Sequence, residues 1–519
     1  MTVWARSERA KRSPRSRWHS RRSSAHVAPG RNEIQRSGLP QIRMYDSASR
    51  TIRPFEPLRP RRVGMYNCGP TVYDWQHIGN LYSYIVADVV RRTFEYFGFE
   101  VKQVMNITDV GHTVDDVDEA EDKMEIAAKR ERKDPLDLAA TYTKQFIVDR
   151  HKLNILDPEV MPKATDHIPQ MIELIQRLLD KGNAYVAADG VYFDITTFPG
   201  YGTRLNAEPP DERKAGARVE VNANKRHPFD FALWRAAKPN DLQQWDSPWG
   251  RGNPGWHIEC SAMSMKYLGE TFDIHSGGED HLFPHHECEI AQSEAATGKR
   301  FVDYWMHVRF LRVEGQGMHK SIGNTYLLSQ IEEWGYDPLA FRLLALGSGY
   351  RKPLDFTRAG MDAAQSRLER WRRTIAAAYT ATGGKTTEPE PDFGVRAGFT
   401  SALAEDFNTP KALAAAEMAL ELAGTDDVAT RERALWLLFD MDRVFGLSLQ
   451  ESAATKEELT EEARRLVHER EDARRAGDYA KSDRLRVELL ERHGIQVKDT
   501  KDGTRWERVA PRERDHGRV

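Results

Sequence analysis

The chain has 519 residues, of which 40% are hydrophobic and 30% charged, and no apolar run approaches the ~18 to 20 residues that would span a bilayer, which argues against a membrane-spanning protein. The formal net charge of -3 hides eleven Lys and Arg against two acids in residues 1–43, leaving 65 against 77 in the remainder, so overall charge does not argue for a nucleic-acid partner. Three cysteines, Cys68, Cys260 and Cys288, are too few and too scattered for a disulfide framework and indicate a reducing, cytoplasmic compartment.

At ~150 residues per domain the length predicts three or four units. Residues 1–39 are rich in Arg and Ser without helical or strand period, and a disordered basic tail is expected there. An organelle-targeting or nucleic-acid-binding tail is the alternative, and Met44 is a second candidate start. From Val63 the pattern sharpens. Val63–Cys68 reads as a buried strand, Ile78–Phe97 as a helix with Leu81, Ile85 and Val89 on one face, Gly98 as its stop, and Phe99–Ile107 as a second strand. This is one βαβ unit, implying a parallel sheet with a ligand crevice at the strand carboxyl ends.

Residues 110–225 read as an insertion, with charged helices over 116–133, 136–152 and 167–181 and a short strand pair around Val191–Asp194. The sheet pattern is expected to resume as strand at Trp256–Cys260 and to continue through Thr271–His275. A helix from Pro284 and a strand over Met306–Val313 follow. After Asp337 the chain reads as helical. A Gly, Thr, Pro and Glu-rich linker at 383–392 follows a helix over 367–382. Thr409-Pro410 reads as an N-cap with proline at the first helical position, and Gly424 and Gly446 read as stops. The end pairs helices over 461–475 and 479–492 with a hairpin, Ile495–Asp499 and Thr504–Arg508, around the turn dipeptide Asp502-Gly503.

Three stretches carry chemistry. Cys260, His285 and Glu289, with Cys68 brought in from the first strand end, form a candidate zinc set. His285 and Glu289 are four apart on one helical face, and thiolate, imidazole and carboxylate together suit that ion. Spacing alone leaves Cys288 open in place of Glu289. His77-Ile78-Gly79-Asn80 opens a helix, where free backbone N–H groups and the helix dipole attract phosphate and Gly79 permits close approach. Gly315–Asn324 sets three glycines around Lys320, a mobile loop able to swing a cation onto a transferring phosphoryl group.

In this order and separation the three stretches resemble the signature motifs and metal site of the class I aminoacyl-tRNA synthetases, specifically the cysteinyl-tRNA synthetase family. The runs Tyr66–Asp74, Asn106–Asp109, Gly255–Met263, Phe283–Glu287, Ile290–Ala295 and Asp406–Pro410 agree, so the similarity extends from about residue 41 to the final hairpin. The resemblance implies an α/β fold. A Rossmann-like parallel-sheet catalytic domain over 40–345 would carry the insertion, a helical tRNA-contacting bundle would occupy 346–455, and a small mixed α+β anticodon-binding domain 456–519. It implies ATP-dependent activation of L-cysteine to cysteinyl-adenylate and transfer to the 3′ end of tRNA(Cys), with one zinc per chain and magnesium with ATP.

Zinc would be held by Cys68, Cys260, His285 and Glu289 and would recognise the substrate thiolate, separating cysteine from serine without an editing site. Cys68, Gly69, Thr71, Trp256 and Cys260 would meet cysteine. His77, Ile78, Gly79, Asn80, Met318, His319, Lys320 and Ser321 would meet ATP, with His77, Asn80 and Lys320 catalytic. Two departures stand out: Asn80 replaces the signature's last histidine, and Gly317 and His319 replace the first lysine and the serine of the loop. A monomer is expected. The competing readings are an ATP-dependent cysteine ligase acting on an amino sugar, and a non-catalytic paralogue that binds tRNA or cysteine.

Overall fold

The computed structural model describes residues 39–111, 123–205, 222–239, 241–318, 322–390, 394–454, 461–493, 495–500 and 503–508. The expected basic tail over 1–39 lies almost wholly outside them. Strands β1 (Arg43–Asp46) and β2 (Thr51–Pro54) form a hairpin. Then come β3 (Arg62–Asn67), α1 (Ile78–Tyr96) and β4 (Glu100–Met105), the predicted βαβ unit, with Gly98 at φ 85° just past the helix end.

The insertion follows with α2 (Lys123–Glu131), α3 (Pro135–Lys152) and α4 (Ile168–Asp180), then strands β5 (Ala184–Ala187), β6 (Gly190–Phe193), β7 (Phe231–Ala236) and β8 (Gly252–Pro254). These strands make one antiparallel sheet in the order β5-β6-β7-β8. The expected strand pair is therefore half of a sheet that runs on to Pro254, beyond the boundary near 225. Glycine backbone contacts hold its far edge: a Cβ on Gly252 would meet Arg235 O at 2.0 Å.

Trp256–Cys260 is not a strand. It opens α5 (Trp256–Leu268), capped at Gly255. The strand-like alternation of Trp256 and Ile258 with His257 and Glu259 misleads because the polar members are buried as well, at 2% and 0% exposure. Next come β9 (Phe272–Gly278), α6 (His285–Thr297), β10 (Val302–Val308), β11 (Leu311–Val313) and β12 (Gln316–Gly317). The single strand expected over 306–313 is thus two strands belonging to different sheets.

The main sheet is wholly parallel in the order β10-β9-β3-β4. Its two halves, separated in sequence by the whole insertion, join where β9 pairs with β3. The connections leave that junction in opposite directions, so the crevice at a topological switch point opens beyond the ends of β3 and β9. Both faces of the sheet are covered. Met65 enters the core shared with α1 and the later helices, and Tyr66 enters the core shared with α4, α5 and the insertion sheet.

Then follow α7 (Leu328–Glu333), α8 (Pro338–Leu346), β13 (Leu354–Phe356) and α9 (Arg358–Ala381). The bundle comprises α10 (Gly394–Ala404), α11 (Thr409–Ala423), α12 (Val428–Phe445) and α13 (Leu449–Ala454). The N-cap of α11 is Asn408, whose Oδ1 accepts from Lys411 N, and not Thr409, whose hydroxyl reaches Ser348 O instead. Gly446 ends α12 at φ 65° as predicted. Helices α14 (Glu461–Arg475) and α15 (Tyr479–His493) pack with the hairpin β14 (Ile495–Thr500) and β15 (Gly503–Arg508) around a small core of their own. The expected Asp502 half of its turn lies outside the described residues.

A buried charge cluster joins the sheet to the bundle. Asp88 Oδ2 on α1 accepts from Arg92 Nε at 2.7 Å and Arg342 Nη2 at 2.5 Å, and Oδ1 accepts from Leu156 N. The two guanidiniums spend their other donors on Arg443 O, Phe445 O and Leu153 O. Burial would raise the Asp88 carboxyl, but the two arginines outweigh it and hold it below its ordinary value. Its stabilising contribution is therefore complete above the ordinary Asp range near ~3.9 and is lost as pH falls toward the lower folded value. Asp88→Ala strands two buried cations and is expected to lower stability by roughly 3 to 5 kcal/mol, read as a fall in the urea midpoint at neutral pH. A change below about 1 kcal/mol would show that the cluster does not hold the junction.

Candidate active site

The crevice beyond β3 and β9 is a cavity of about 290 Å³, lined among others by Cys68, Gly69, Thr71, Trp75, His77, Asn80, Trp256, Cys260 and His285. Cys68 follows β3 directly and its N–H donates to Ser276 O of β9 at 3.1 Å. Gly69 is required by close approach: a Cβ there would lie 1.6 Å from Asn106 O. Its N–H donates to Asn106 Oδ1, and Val72 and Thr108 extend the contact through Val72 N to Thr108 O and Thr108 N to Pro70 O.

Four donor atoms, from Cys68, Cys260, His285 and Glu289, lie within 4.8 Å of one another, all buried. The sulfurs of Cys68 and Cys260 are 4.0 Å apart as free thiols, and His285 Nε2 is 3.1 Å from Glu289 Oε1. A tetrahedral zinc with Zn–S of about 2.3 Å and Zn–N or Zn–O near 2.0 to 2.1 Å requires separations of roughly 3.8 and 3.3 Å. Glu289 Oε1 makes no hydrogen bond despite its full burial, as expected of an atom turned toward a shared point. The donor set and its spacing therefore fit a metal ion. Cys288, left open by spacing, turns away from the set, with its sulfur 3.2 Å from Tyr201 Oη.

A second group, Cys68, His275, His286 and Glu289, meets the same distance condition. Its histidines are already committed as supports. His275 Nε2 is 3.0 Å from Glu289 Oε2, and His286 lies between Cys68 Sγ at 3.4 Å and His307 Nε2 at 2.8 Å. His257 Nδ1 likewise sits 2.9 Å from His285 Nδ1, leaving Nε2 of His285 for the shared point. Such partners fix tautomer and ring orientation in metal sites. Burial holds His285 down at about 4 and His286 and His307 well below the ordinary range, so all three are neutral imidazoles. Burial would raise Glu289, but His275 and His285 hold its carboxyl at about 2.

His77 caps α1. Its Nδ1 accepts from Asn80 N at 3.3 Å, and Asn80 Oδ1 accepts from His77 N at 3.2 Å, a reciprocal box made by the residue that departs from the expected histidine. The second loop approaches this turn. Ile78 N donates to Tyr326 O, and the Met318 methyl would lie 2.8 Å from a Cβ on Gly79. His319, Lys320 and Ser321 lie outside the described residues. Trp256 faces the set, its ring 4.3 Å from that of His285.

Sequence reasoning assigned no role to His257, His275, His286, His307 or Asn106. His257 and Asn106 stood inside runs already singled out, and His286 was the neighbour of a predicted ligand. His275 and His307 carry no local signal, because only the parallel register of β9 and β10 brings them to the site.

A family model described as "tRNA synthetases class I (C) catalytic domain" matches residues 54–366, and one described as "Cysteinyl-tRNA ligase anticodon binding domain" matches residues 456–506. The cysteine--tRNA ligase of Chlorobaculum tepidum is 42% identical over 489 residues, covering 90% of this chain and 99% of its own length. That of Thermus thermophilus is 44% identical, covering 89% and 98%. The chain belongs to the cysteinyl-tRNA synthetase family. It is therefore a class I aminoacyl-tRNA synthetase, a ligase. Solved structures agree in fold. A LeuRS of Agrobacterium radiobacter in a ternary complex with tRNA and LeuAMS aligns at TM-score 0.57 and 12% identity over 78% of this chain and 86% of its own. The methionyl-tRNA synthetase of Mycobacterium tuberculosis with methionyl-adenylate aligns at 0.52 and 14% over 76% and 91%. Among the described residues no helix is long and apolar enough to cross a membrane.

Because Gly69 has no room for a side chain, Gly69→Ala must displace the Asn106 loop and with it Cys68. We expect at least a tenfold loss of activity together with about 1 to 3 kcal/mol of destabilisation. An alanine variant with wild-type activity would show that the position of Cys68 is not set by this contact.

Proposed function

We propose that the protein activates L-cysteine with ATP and transfers the cysteinyl group to the 3′ end of tRNA(Cys), as a cytoplasmic enzyme acting as a monomer. The observation that carries this reading is one crevice holding both the Cys68, Cys260, His285 and Glu289 set and the His77–Asn80 helix start, within a family of cysteine ligases. The four residues would hold zinc, which supplies a soft centre that binds a thiolate far better than a hydroxyl. Trp256 and Thr71 wall the amino-acid side of the crevice. His77, fixed by its box with Asn80, presents its imidazole at the positive end of the α1 dipole to the phosphates of ATP with magnesium.

Attack of the cysteine carboxylate on the α-phosphate expels pyrophosphate, and the terminal ribose hydroxyl of the tRNA then displaces AMP. The protein forms no covalent bond in either step, so its residues act by positioning and by charge. Met318, resting over Gly79, supports placing Lys320 beside the phosphates. Gly317 and His319 leave that loop one cation short of the family pattern. The bundle would contact the tRNA body and residues 456–519 its anticodon. That C-terminal segment favours this reading over a cysteine ligase acting on an amino sugar.

Two experiments test the proposal. ATP–pyrophosphate exchange should depend on cysteine, should not be supported by serine, and should be lost with a zinc chelator; absence of cysteine-dependent exchange would refute it. One zinc per chain should be retained by Cys288→Ser and lost by Cys260→Ser, which should lose preference for cysteine before it loses its fold. Unaltered cysteine affinity in Cys260→Ser would show the ligand assignment to be wrong.

A further inference from the structure

Asp406-Phe407-Asn408 plays no part in the chemistry above, yet Asp406 and Phe407 both hold left-handed φ values, 57° and 52°. That conformation is disfavoured for residues with a side chain, most of all for one as bulky as Phe407. What the turn secures is β1. Asp406 N donates to Arg43 O at 2.9 Å, and Asp406 Oδ1 accepts from Tyr45 N at 2.8 Å. Tyr350 Oη and Arg351 Nε, each at 2.6 Å, hold the carboxylate in place. One residue on, Asp46 Oδ1 accepts from Trp305 N, and Ser47 N donates to Trp305 O at 2.9 Å, fastening the end of β1 to β10.

From Ser47 a chain of side chains leads to the metal set. Ser47 Oγ is 2.8 Å from His307 Nδ1, His307 Nε2 is 2.8 Å from His286 Nδ1, and His286 Nε2 is 3.4 Å from Cys68 Sγ. All four residues are buried. A neutral imidazole has one donor and one acceptor, so the direction of such a chain is set at its ends. A ligating sulfur can only accept.

We propose that Ser47 is a positioning residue for Cys68. Its hydroxyl donates to His307 Nδ1 and so fixes both imidazoles in the tautomer that donates onward, ending with His286 Nε2–H on the sulfur, while Asp406 holds the strand that leads into Ser47. Without the hydroxyl the chain can reverse, which sets a nitrogen lone pair against the sulfur. This inference rests on the reading of Cys68 as a metal ligand.

The test measures zinc affinity by competition with a chromophoric chelator, together with KM for cysteine and for ATP in pyrophosphate exchange. Ser47→Ala should weaken zinc binding 10- to 100-fold and raise KM for cysteine, leaving KM for ATP unchanged. Ser47→Thr, which keeps the hydroxyl, should return both values to within about threefold of wild type. Asp406→Asn should shift them in the same direction, and the double variant should be no worse than Ser47→Ala alone, because both act through one route. Wild-type zinc affinity in Ser47→Ala would overturn the proposal, as would an equal rise in both KM values, which marks general loosening. Full additivity would overturn the part given to Asp406. If the unaltered protein binds no zinc, the metal reading fails as well. If it does, and Cys68→Ser loses zinc while Ser47→Ala keeps it, this inference alone fails.

Discussion

The pairing of β9 with β3 is the constraint on which the rest depends. Three residue pairs in parallel register, Met65 with Ile274, Tyr66 with His275 and Asn67 with Ser276, join two half-sheets that are some two hundred residues apart in sequence. Cys68 leaves the first half one residue past that register, and Cys260, His285 and Glu289 hang from helices flanking the second. A slip of one residue would leave Tyr66 and His275 on opposite faces and carry Cys68 out of reach of its partners. The insertion between the halves is free to be long because its two ends meet at this junction, and loop closure costs little extra as a connection lengthens.

Around that junction the protein has gathered charge-bearing groups in an interior that disfavours charge. Two thiols and a carboxylate are fully buried among neutral imidazoles, and burial pushes both thiols up, although the bond from Cys68 opposes this at Cys260. Each thiol therefore favours its protonated form, and a cation bound there would have to displace those protons. The histidines do not neutralise the set; they orient it. Glu289 is held from one side by His275, and His285 by His257, so the positions of these donor atoms are over-determined by their neighbours.

Much of this was legible in the sequence because local rules and site chemistry coincide there. The Ile78 helix start, the Gly98 and Gly446 stops, and the i,i+4 placement of His285 and Glu289 each follow from spacing or backbone requirement. The misreadings have a common physical cause. Trp256–Cys260 alternates like a strand only if polar residues face solvent, whereas His257 and Glu259 are buried for their contacts with His285 and Thr108. Asn408 rather than Thr409 caps α11 because the Thr409 hydroxyl has a partner elsewhere in the fold. His275 and His307 were beyond reach for another reason: their role arises from strand register, which no local pattern encodes.

The Asp88 cluster bears on how this architecture can change. The two guanidiniums on Asp88 take carbonyl oxygens from Arg443 and Phe445 at the end of α12, and from Leu153 and Asn154 in the insertion. A chain cut before the bundle would leave Arg92 and Arg342 beside Asp88 without the Arg443 and Phe445 carbonyls, and unsatisfied buried donors are costly. The catalytic sheet is thus not a self-sufficient module to which helices were appended. Shortening the protein to its reaction centre would require rewriting α1, the same helix whose first turn lines the crevice.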